Sequence, residues 1–222
     1  MIKFAQVTKK FGSITALEEI SFEIKEGEFF LVTGPSGAGK TTLINLILRR
    51  YLPTGGSIRI EDFDLSRLNG HNLRQLRRQI GVVFQDYKLL NDRTVFENVA
   101  LALKVLGKKE KEIQPAVEAI LASVGLYERK NLFPKQLAGG ELQRTCLARA
   151  TVIEPKMLIA DEPTGNLDPK NARQIVDLLA KFNQEGKTVL MATHNLEIVK
   201  ASKARVIELA EGKLVGDHER TN

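Results

Sequence analysis

The stretch Gly34-Pro35-Ser36-Gly37-Ala38-Gly39-Lys40-Thr41-Thr42 constrains the fold of this chain more than any other. It follows an apolar run, Phe29 to Thr33, and precedes Leu43-Ile44-Asn45-Leu46-Ile47-Leu48, whose spacing suits a helix. Strand, glycine loop and helix in that order are the context that the pattern G-x-x-x-x-G-K-[ST] requires. Glycines let successive main-chain N–H groups turn inward without a Cβ clash, forming a cage for phosphate oxygens. The opening helix adds its unsatisfied N–H groups and the positive end of its dipole. Lys40 is then placed to reach β- and γ-phosphates, and the Thr41 hydroxyl to ligate Mg²⁺.

At 222 residues the chain suits one domain, or a domain carrying an inserted lobe. A hydrophobic fraction of 43% is enough for a sizeable core without disulfides or metals. No window approaches the roughly 18–20 uninterrupted apolar residues of a membrane span, and Met1-Ile2-Lys3-Phe4-Ala5-Gln6 does not read as a secretory leader. Cys146 is the only cysteine, which excludes an internal disulfide and suits a reducing compartment, with Cys146 as a small core residue. The expectation is a soluble intracellular protein. Its balance is basic, 33 Lys and Arg against 27 Asp and Glu, net +6. The positives fall in short groups such as Arg49-Arg50, Arg74 with Arg77-Arg78, and Lys108-Lys109 with Lys111, with no aromatics interleaved as in a base-stacking platform. Solvated helix faces account for them at least as well as a binding surface does.

Ile2 to Val7 and Ile20 to Ile24 alternate apolar and polar, as half-exposed antiparallel strands do. Phe29 to Val32 and Ile80 to Phe84 are continuously apolar and read as buried parallel strands. Ser57 to Ile60 is another strand, after the turn Pro53-Thr54-Gly55-Gly56. From Gln85 the period changes: Val95 to Leu106, Lys111 to Val124 and Glu141 to Ile153 carry apolar residues at helical spacing, with Pro134 in the last loop. Strands return at Met157 to Ala160, Thr188 to Ala192 and Arg205 to Leu209, with a helix from Pro169 to Asn183 between the first two. The polar tail Asp217 to Asn222 reads as frayed. The sum is an α/β core built from both chain ends, 1–84 and 156–222, interrupted by a helical subdomain, 85–155.

Met157-Leu158-Ile159-Ala160-Asp161-Glu162 puts two carboxylates at the C-terminal end of a buried strand, the edge at which open parallel sheets place ligands. Asp161 is expected to hold Mg²⁺ and Glu162 to polarise an attacking water beside the γ-phosphate. Leu137-Ala138-Gly139-Gly140-Glu141 then leads into a helix beginning Leu142-Gln143-Arg144. With this last motif the chain resembles the ATP-binding subunits of ABC transporters, whose signature is usually Leu-Ser-Gly-Gly followed by Gln or Glu. The resemblance covers nearly the whole chain, with motifs in family order. Gln85 matches the Q-loop glutamine, Gly165-Asn166-Leu167-Asp168 the D-loop, and His194, within Ala192-Thr193-His194-Asn195, the switch histidine.

The resemblance implies a P-loop ATPase fold: a mixed, largely parallel sheet, an N-terminal antiparallel β part and an inserted helical subdomain. It implies ATP and Mg²⁺ as ligands and a head-to-tail homodimer. ATP lies between one copy's glycine loop (Gly34, Pro35, Ser36, Gly37, Ala38, Gly39, Lys40, Thr41, Thr42) and the other's signature (Ala138, Gly139, Gly140, Glu141), with Asp168 at the junction. Glu162, His194, Gln85 and Lys40 would carry hydrolysis; Thr41, Gln85 and Asp161 would hold the metal. Phe11, after Thr8-Lys9-Lys10, sits where the family stacks an aromatic on adenine, a task for which the ring alone suffices. Ala138 departs from the pattern: the usual serine hydroxyl, which bonds the γ-phosphate, is missing. One such charge-assisted bond is worth on the order of 1.5–3 kcal/mol, so weak nucleotide-driven dimerisation and slow turnover in isolation are expected.

Gln85 to Ala100, and Asp92-Arg93-Thr94-Val95 in particular, resemble the FtsE branch of the family, the cell-division ATPases that pair with an FtsX-type membrane protein. That resemblance implies a cytoplasmic protein peripheral on the inner face of the cell membrane. Its closing and opening on ATP would move an integral membrane permease and so regulate peptidoglycan hydrolysis. Tyr87, Leu89, Leu90, Val95 and Phe96 would supply the apolar groove that receives the permease's coupling helix. The alternatives are a LolD- or MacB-type exporter ATPase for lipoprotein or efflux and, further off, a soluble ABC ATPase acting on DNA. A GTPase is disfavoured because no Asn-Lys-x-Asp motif is present.

Overall fold

In the computed structural model, which describes residues 1–219, the chain runs β1 (Ile2–Phe11), β2 (Ile14–Ile24), β3 (Phe29–Thr33), α1 (Lys40–Ile47), β4 (Gly55–Ile60), β5 (Phe63–Asp64), α2 (Gly70–Arg78), β6 (Ile80–Val83), α3 (Val95–Val105), α4 (Glu110–Ser123), α5 (Gly139–Thr151), β7 (Met157–Asp161), α6 (Pro169–Gln184), β8 (Thr188–Thr193), α7 (Leu196–Ala201), β9 (Arg205–Ala210) and β10 (Lys213–His218). Pro134, expected in a loop, begins a short 3₁₀ turn, Pro134–Gln136.

Two sheets result. The antiparallel one has the order β2-β1-β4-β5; the larger has the order β10-β9-β3-β8-β7-β6 and is parallel except for the hairpin partner β10. β1 keeps its apolar side chains inward in spite of an irregular pattern. Ile2 and Phe4 alternate with polar residues, then a register shift between Phe4 and Val7, with Gln6 at φ 47°, resets the face so that Val7 also points in. The parallel strands β7 and β8 are buried at every position, which is why they read as continuous apolar runs. Phe4 stacks on Phe22 at 4.6 Å and Phe22 on Phe30 at 5.5 Å, so one aromatic ladder joins the antiparallel layer to the parallel sheet. Each such pair contributes about 0.5–1.5 kcal/mol beyond its buried area.

Between β6 and β7 every regular element is a helix or 3₁₀ turn. α3 begins with a full capping box, Thr94 Oγ1 accepting from the Glu97 N–H and Glu97 accepting from the Thr94 N–H. Val99, Leu103, Val117, Leu121 and Ala148 pack α3, α4 and α5 around their own apolar cluster.

Four elements go beyond the sequence reading. β5 and α2 follow β4; α2 is mostly polar, with Leu76 its single buried residue, and starts because Asn69 accepts from the Asn72 N–H at 2.9 Å. α7 is capped in the same manner by Asn195. The polar tail is partly a strand: Asp217 and His218 end β10, and Arg205 holds the Asp217 carboxylate with two bonds of 2.8 and 2.7 Å. Fraying there is therefore corrected for Asp217 and His218; residues 220–222 lie outside the described residues. No helix among the described residues is long and apolar enough to cross a membrane.

Candidate active site

Strand order determines which motifs meet. β3, β8 and β7 are consecutive neighbours in the parallel sheet, so their C-terminal ends lie side by side. Those ends carry the glycine loop, His194, and Asp161 with Glu162 respectively. Gly34 cannot be replaced by a residue with a side chain: at φ +147° a Cβ would stand 2.1 Å from the Leu209 carbonyl oxygen. Lys40, buried at the start of α1, donates to the carbonyls of Gly34 at 2.8 Å and Pro35 at 3.0 Å, and its Nζ lies 3.4 Å from Glu162 Oε1. The loop thus bends around its own lysine. Ala38 turns its methyl into the core, leaving only its main chain to the loop.

Glu162 is buried and adopts a left-handed conformation, φ 47°, fixed by its N–H donating to Ala192 O at 2.9 Å and its carbonyl accepting from Gly165 N–H at 3.1 Å. Such conformations in non-glycine residues cost about 1–3 kcal/mol and persist where surrounding structure over-determines them. The result aims one carboxylate oxygen at Lys40 and the other at His194, whose Nδ1 lies 2.9 Å from Oε2 and whose main-chain N–H donates to it at 3.3 Å.

A cleft of about 320 Å³ opens over these groups, lined by Ser36, Gly37, Gly39, Lys40, Thr41 and Thr42 of the loop and by Gln85, Glu162 and His194. Ala16 completes it, a residue that no motif singles out; its carbonyl stands where a Cβ on Gly39 would come within 2.8 Å, so only glycine lets the loop pass β2. Hollows of about 370 and 640 Å³ elsewhere assemble no comparable convergence of phosphate-binding groups. Asp161 sits just below the cleft, its Oδ1 accepting from the Thr41 hydroxyl at 3.3 Å. Burial raises its carboxyl above the usual carboxylate value, opposed by the Thr41 hydrogen bond. A hydroxyl and a carboxylate this close form an oxygen donor set of the kind that Mg²⁺ prefers, so the residues present fit that ion.

The signature residues stand apart. Ala138 is the N-cap of α5 and offers no side-chain cap; its N–H donates to Glu141 Oε2 at 2.9 Å, and Arg129 holds the other Glu141 oxygen at 3.0 Å. The bond from Ala138, then Arg129, holds the Glu141 carboxyl below its usual value. Gly139 faces Leu167 and the Tyr87 hydroxyl, and Gly140 faces Asn171. None of the four borders the cleft. Asp168 does not border it either: it caps α6, accepting from the Asn171 N–H at 3.0 Å. Phe11 lies at the end of β1, edge-on to Tyr51 at 5.1 Å between centroids.

Of the residues expected to line a docking groove, Leu90 is exposed, and Tyr87, Leu89 and Phe96 are half-buried. Val95 is a correction: it has no exposed surface and belongs to the apolar cluster of the helices, where its position one residue after the cap turns it inward. The segment before α3 is shaped by Asn98, a polar residue inside an apolar helix pattern, buried and bonded to Leu90 at both its N–H and its carbonyl, and to Arg93 O and Thr94 O. Arg149 of α5 reaches the Tyr87 and Lys88 carbonyls at 2.8 and 2.6 Å, fixing two consecutive left-handed residues. Cys146 is a core residue, its thiol pushed up to about 12 chiefly by burial.

The family model of ABC transporters matches residues 17–165. The chain is 47% identical over 222 residues to the cell division ATP-binding protein FtsE of Mycobacterium tuberculosis, covering 99% of this chain and 96% of that one. It is 47% identical to FtsE of Bacillus subtilis (99% and 97% covered) and 44% identical to FtsE of Escherichia coli (97% and 98%). Among solved structures, the ATP-binding cassette MJ0796, a dimer in a post-hydrolysis state bound to ADP and Pi, superposes over the full length of both chains with a TM-score of 0.90 and 35% identity. The chain belongs to the ABC transporter family and, within it, to the FtsE group of ATP-binding proteins.

Proposed function

We propose that this chain hydrolyses ATP within a head-to-tail homodimer and delivers the resulting conformational change to an integral membrane partner in bacterial cell division. The observation that carries the reading is a division within one chain. The cleft gathers Lys40, Thr41, Gln85, Glu162 and His194 but none of Ala138 to Glu141. A helix N-terminus beginning Gly139-Gly140, whose cap residue Ala138 supplies no side-chain acceptor, has main-chain N–H groups of the kind that bind anions. A two-fold arrangement would bring each such terminus to the other copy's cleft and make two identical sites from one sequence.

In this scheme the triphosphate draws the Lys40 ammonium from the Gly34 and Pro35 carbonyls onto its β- and γ-oxygens. Thr41, Asp161 and Gln85 would hold Mg²⁺, which would neutralise phosphate charge there. Glu162 orients a water and takes its proton as the water oxygen bonds to the γ-phosphorus and the bridging P–O bond breaks, releasing ADP and phosphate. His194, now turned toward Glu162, contacts the γ-phosphate in the closed dimer, and Phe11 covers the adenine. Asp168 approaches the dimer junction while it caps α6. Separation of phosphate from the signature N–H groups opens the dimer.

Residues 85–155 act as one helical subdomain that moves with Gln85. Its accessible apolar residues Tyr87, Leu89, Leu90 and Phe96 receive a helix of an FtsX-like permease, placing the protein on the cytoplasmic face of the membrane and coupling ATP turnover to peptidoglycan hydrolysis. The relatives named FtsE favour this output over the lipoprotein and efflux alternatives. Co-purification with the membrane protein encoded beside its gene tests it: recovery of an FtsX-like permease, reduced at least tenfold by Leu90→Asp, is expected. Recovery of a solute exporter instead, or of no membrane protein, overturns the reading.

A further inference from the structure

Positive charge is spread unevenly along this sequence, and five of its arginines (Arg49, Arg50, Arg74, Arg77 and Arg78) gather at the ends of two helices. Residues 29–60 and 65–85 contain no Asp or Glu and eight Lys or Arg, so the rest of the chain is net acidic in a protein of formal charge +6. The two stretches are separate in sequence and meet in the fold. Arg77 of α2 donates to the carbonyls of Leu48 and Arg49 at 3.3 Å, joining the end of α2 to the end of α1. Arg49 in turn donates to Leu65 O at 2.9 Å, and Arg50 lies over the Phe84 ring at 4.8 Å. Arg74 and Arg78 stand exposed on α2, one turn apart. Elsewhere four of the eight described arginines face carboxylates, Arg67 with Asp64, Arg93 with Glu97, Arg129 with Glu141 and Arg205 with Asp217. For Arg49, Arg50, Arg74, Arg77 and Arg78, no ion pair is found among the described residues.

Arginines collected at this density repel one another unless an anion is near, and carbonyl bonds that fix Arg49 and Arg77 lower the entropy lost when one arrives. At the edge of the cluster, directly after Arg50, Tyr51 and Leu52 are 42% and 44% exposed. An aromatic and an aliphatic side chain beside a guanidinium cluster match the boundary between headgroups and acyl chains. A nucleic-acid surface would instead offer free rings for base stacking, and the two accessible rings here, Tyr51 and Phe11, already meet edge-on with Lys9 over both.

We infer that the arginine surface formed by the ends of α1 and α2 binds the anionic headgroups of the membrane, a contact separate from the permease groove. It deepens the membrane reading given above and would hold the protein at the bilayer when the permease is scarce. The test is sedimentation of the purified chain, without nucleotide or permease, with phosphatidylcholine vesicles containing 0 or about 30% phosphatidylglycerol. Each basic side chain near such a surface is worth about fivefold in partitioning, so Arg74→Gln with Arg78→Gln should weaken binding to the anionic vesicles about 25-fold. Binding should also fall steeply with salt. A control pair, Lys111→Gln with Lys135→Gln, removes the same charge from the helical region and should change binding less than twofold. Soluble ATPase activity of the Arg74, Arg78 pair should be unchanged, showing that the chain is folded. Equal binding to neutral vesicles, equal loss in the control pair, or tighter binding to a DNA duplex than to anionic vesicles at the same salt would overturn the inference. Since no permease is present, these outcomes leave the cell-division reading to its own test.

Discussion

The glycine-loop edge of the sheet and the N-terminus of α5, the two places that the proposed dimer would bring to one phosphate, are built differently. At the first, an ammonium, two carboxylates, a hydroxyl and an imidazole are held together by neighbouring strands, and Lys40 and Glu162 are buried and mutually engaged before any ligand is bound. At the second there is a helix end with two glycines, an alanine in place of a cap, and a glutamate whose oxygens are already taken by Ala138 N–H and Arg129. One is a pre-organised centre; the other carries no reactive side chain. On the proposed function, a site assembled from both would be quiet in the monomer and switched by whatever brings two copies together.

Several variants sharpen that contrast. Glu162→Gln keeps the shape of the first place and removes its base. Turnover should fall by about 10²–10⁴, the usual worth of a positioned base, while equilibrium binding of a fluorescent ATP analogue persists; turnover within threefold of the parent would remove Glu162 from the chemistry. Lys40→Ala should lower turnover by about 10²–10³, the scale for losing one preorganised donor to a charged transition state, and should also weaken ATP binding, which separates it from Glu162→Gln. At the second place, Ala138→Ser restores a hydroxyl worth about 1.5–3 kcal/mol to an anionic partner. In the Glu162→Gln background it should tighten ATP-dependent dimers about 10- to 150-fold per site, and so about 10²- to 10⁴-fold for a dimer with two such sites; an unchanged dimer fraction in sedimentation velocity would show that the second place does not meet phosphate. The same serine should cap α5 and raise the stability of the nucleotide-free chain by about 1 kcal/mol.

The smallest effect lies away from both. Arg205 holds the Asp217 carboxyl below its usual value, first through their hydrogen bonds. A depressed carboxylate contributes stability that is fully present above its unfolded value near 3.8 and is lost as pH falls through the lower folded value. Asp217→Asn should therefore lower the melting temperature by about 2–4 °C at pH 7, the shift expected for roughly 1 kcal/mol in a chain of this size. The difference from the parent should shrink in strong acid, and in a His218→Asn background, which removes the neighbouring imidazole that also acts on Asp217, it should be constant between pH 5 and 8. A difference that still varies there would assign it to another group.

Most of the first place was legible because its parts are contiguous in sequence. A glycine loop between strand and helix, and two carboxylates ending an apolar strand, carry their context with them. That Lys40, Glu162 and His194 act together was expected from the family resemblance, but the strand order that gathers them is seen only in the fold, since no local pattern encodes that β8 lies between β3 and β7. What was missed depends on tertiary contacts. α2 is held by Asn69 and a single buried leucine, too little for a periodicity argument. β10 alternates on an edge, where polar residues conceal a strand. Val95 looked available for docking because spacing tells which residues share a face but not whether that face meets the core or the solvent. The arginines read as scattered because the ends of α1 and α2 are brought together only by the fold.

The central claim is that each ATP site takes half its phosphate ligands from another copy, and mixing two inactive variants tests it most directly. Gly139→Asp adds a carboxylate at the second place without crowding, since a Cβ there meets its nearest neighbour, Leu167, at 3.5 Å; Lys40→Ala disables the first. Each alone has no intact composite site, whereas a mixed dimer has one. ATP hydrolysis that is near background for either variant and reappears on mixing, saturating with the concentration of the second partner, is the predicted result. Full activity of Gly139→Asp by itself, or no recovery from any mixture of the two folded variants, would contradict it.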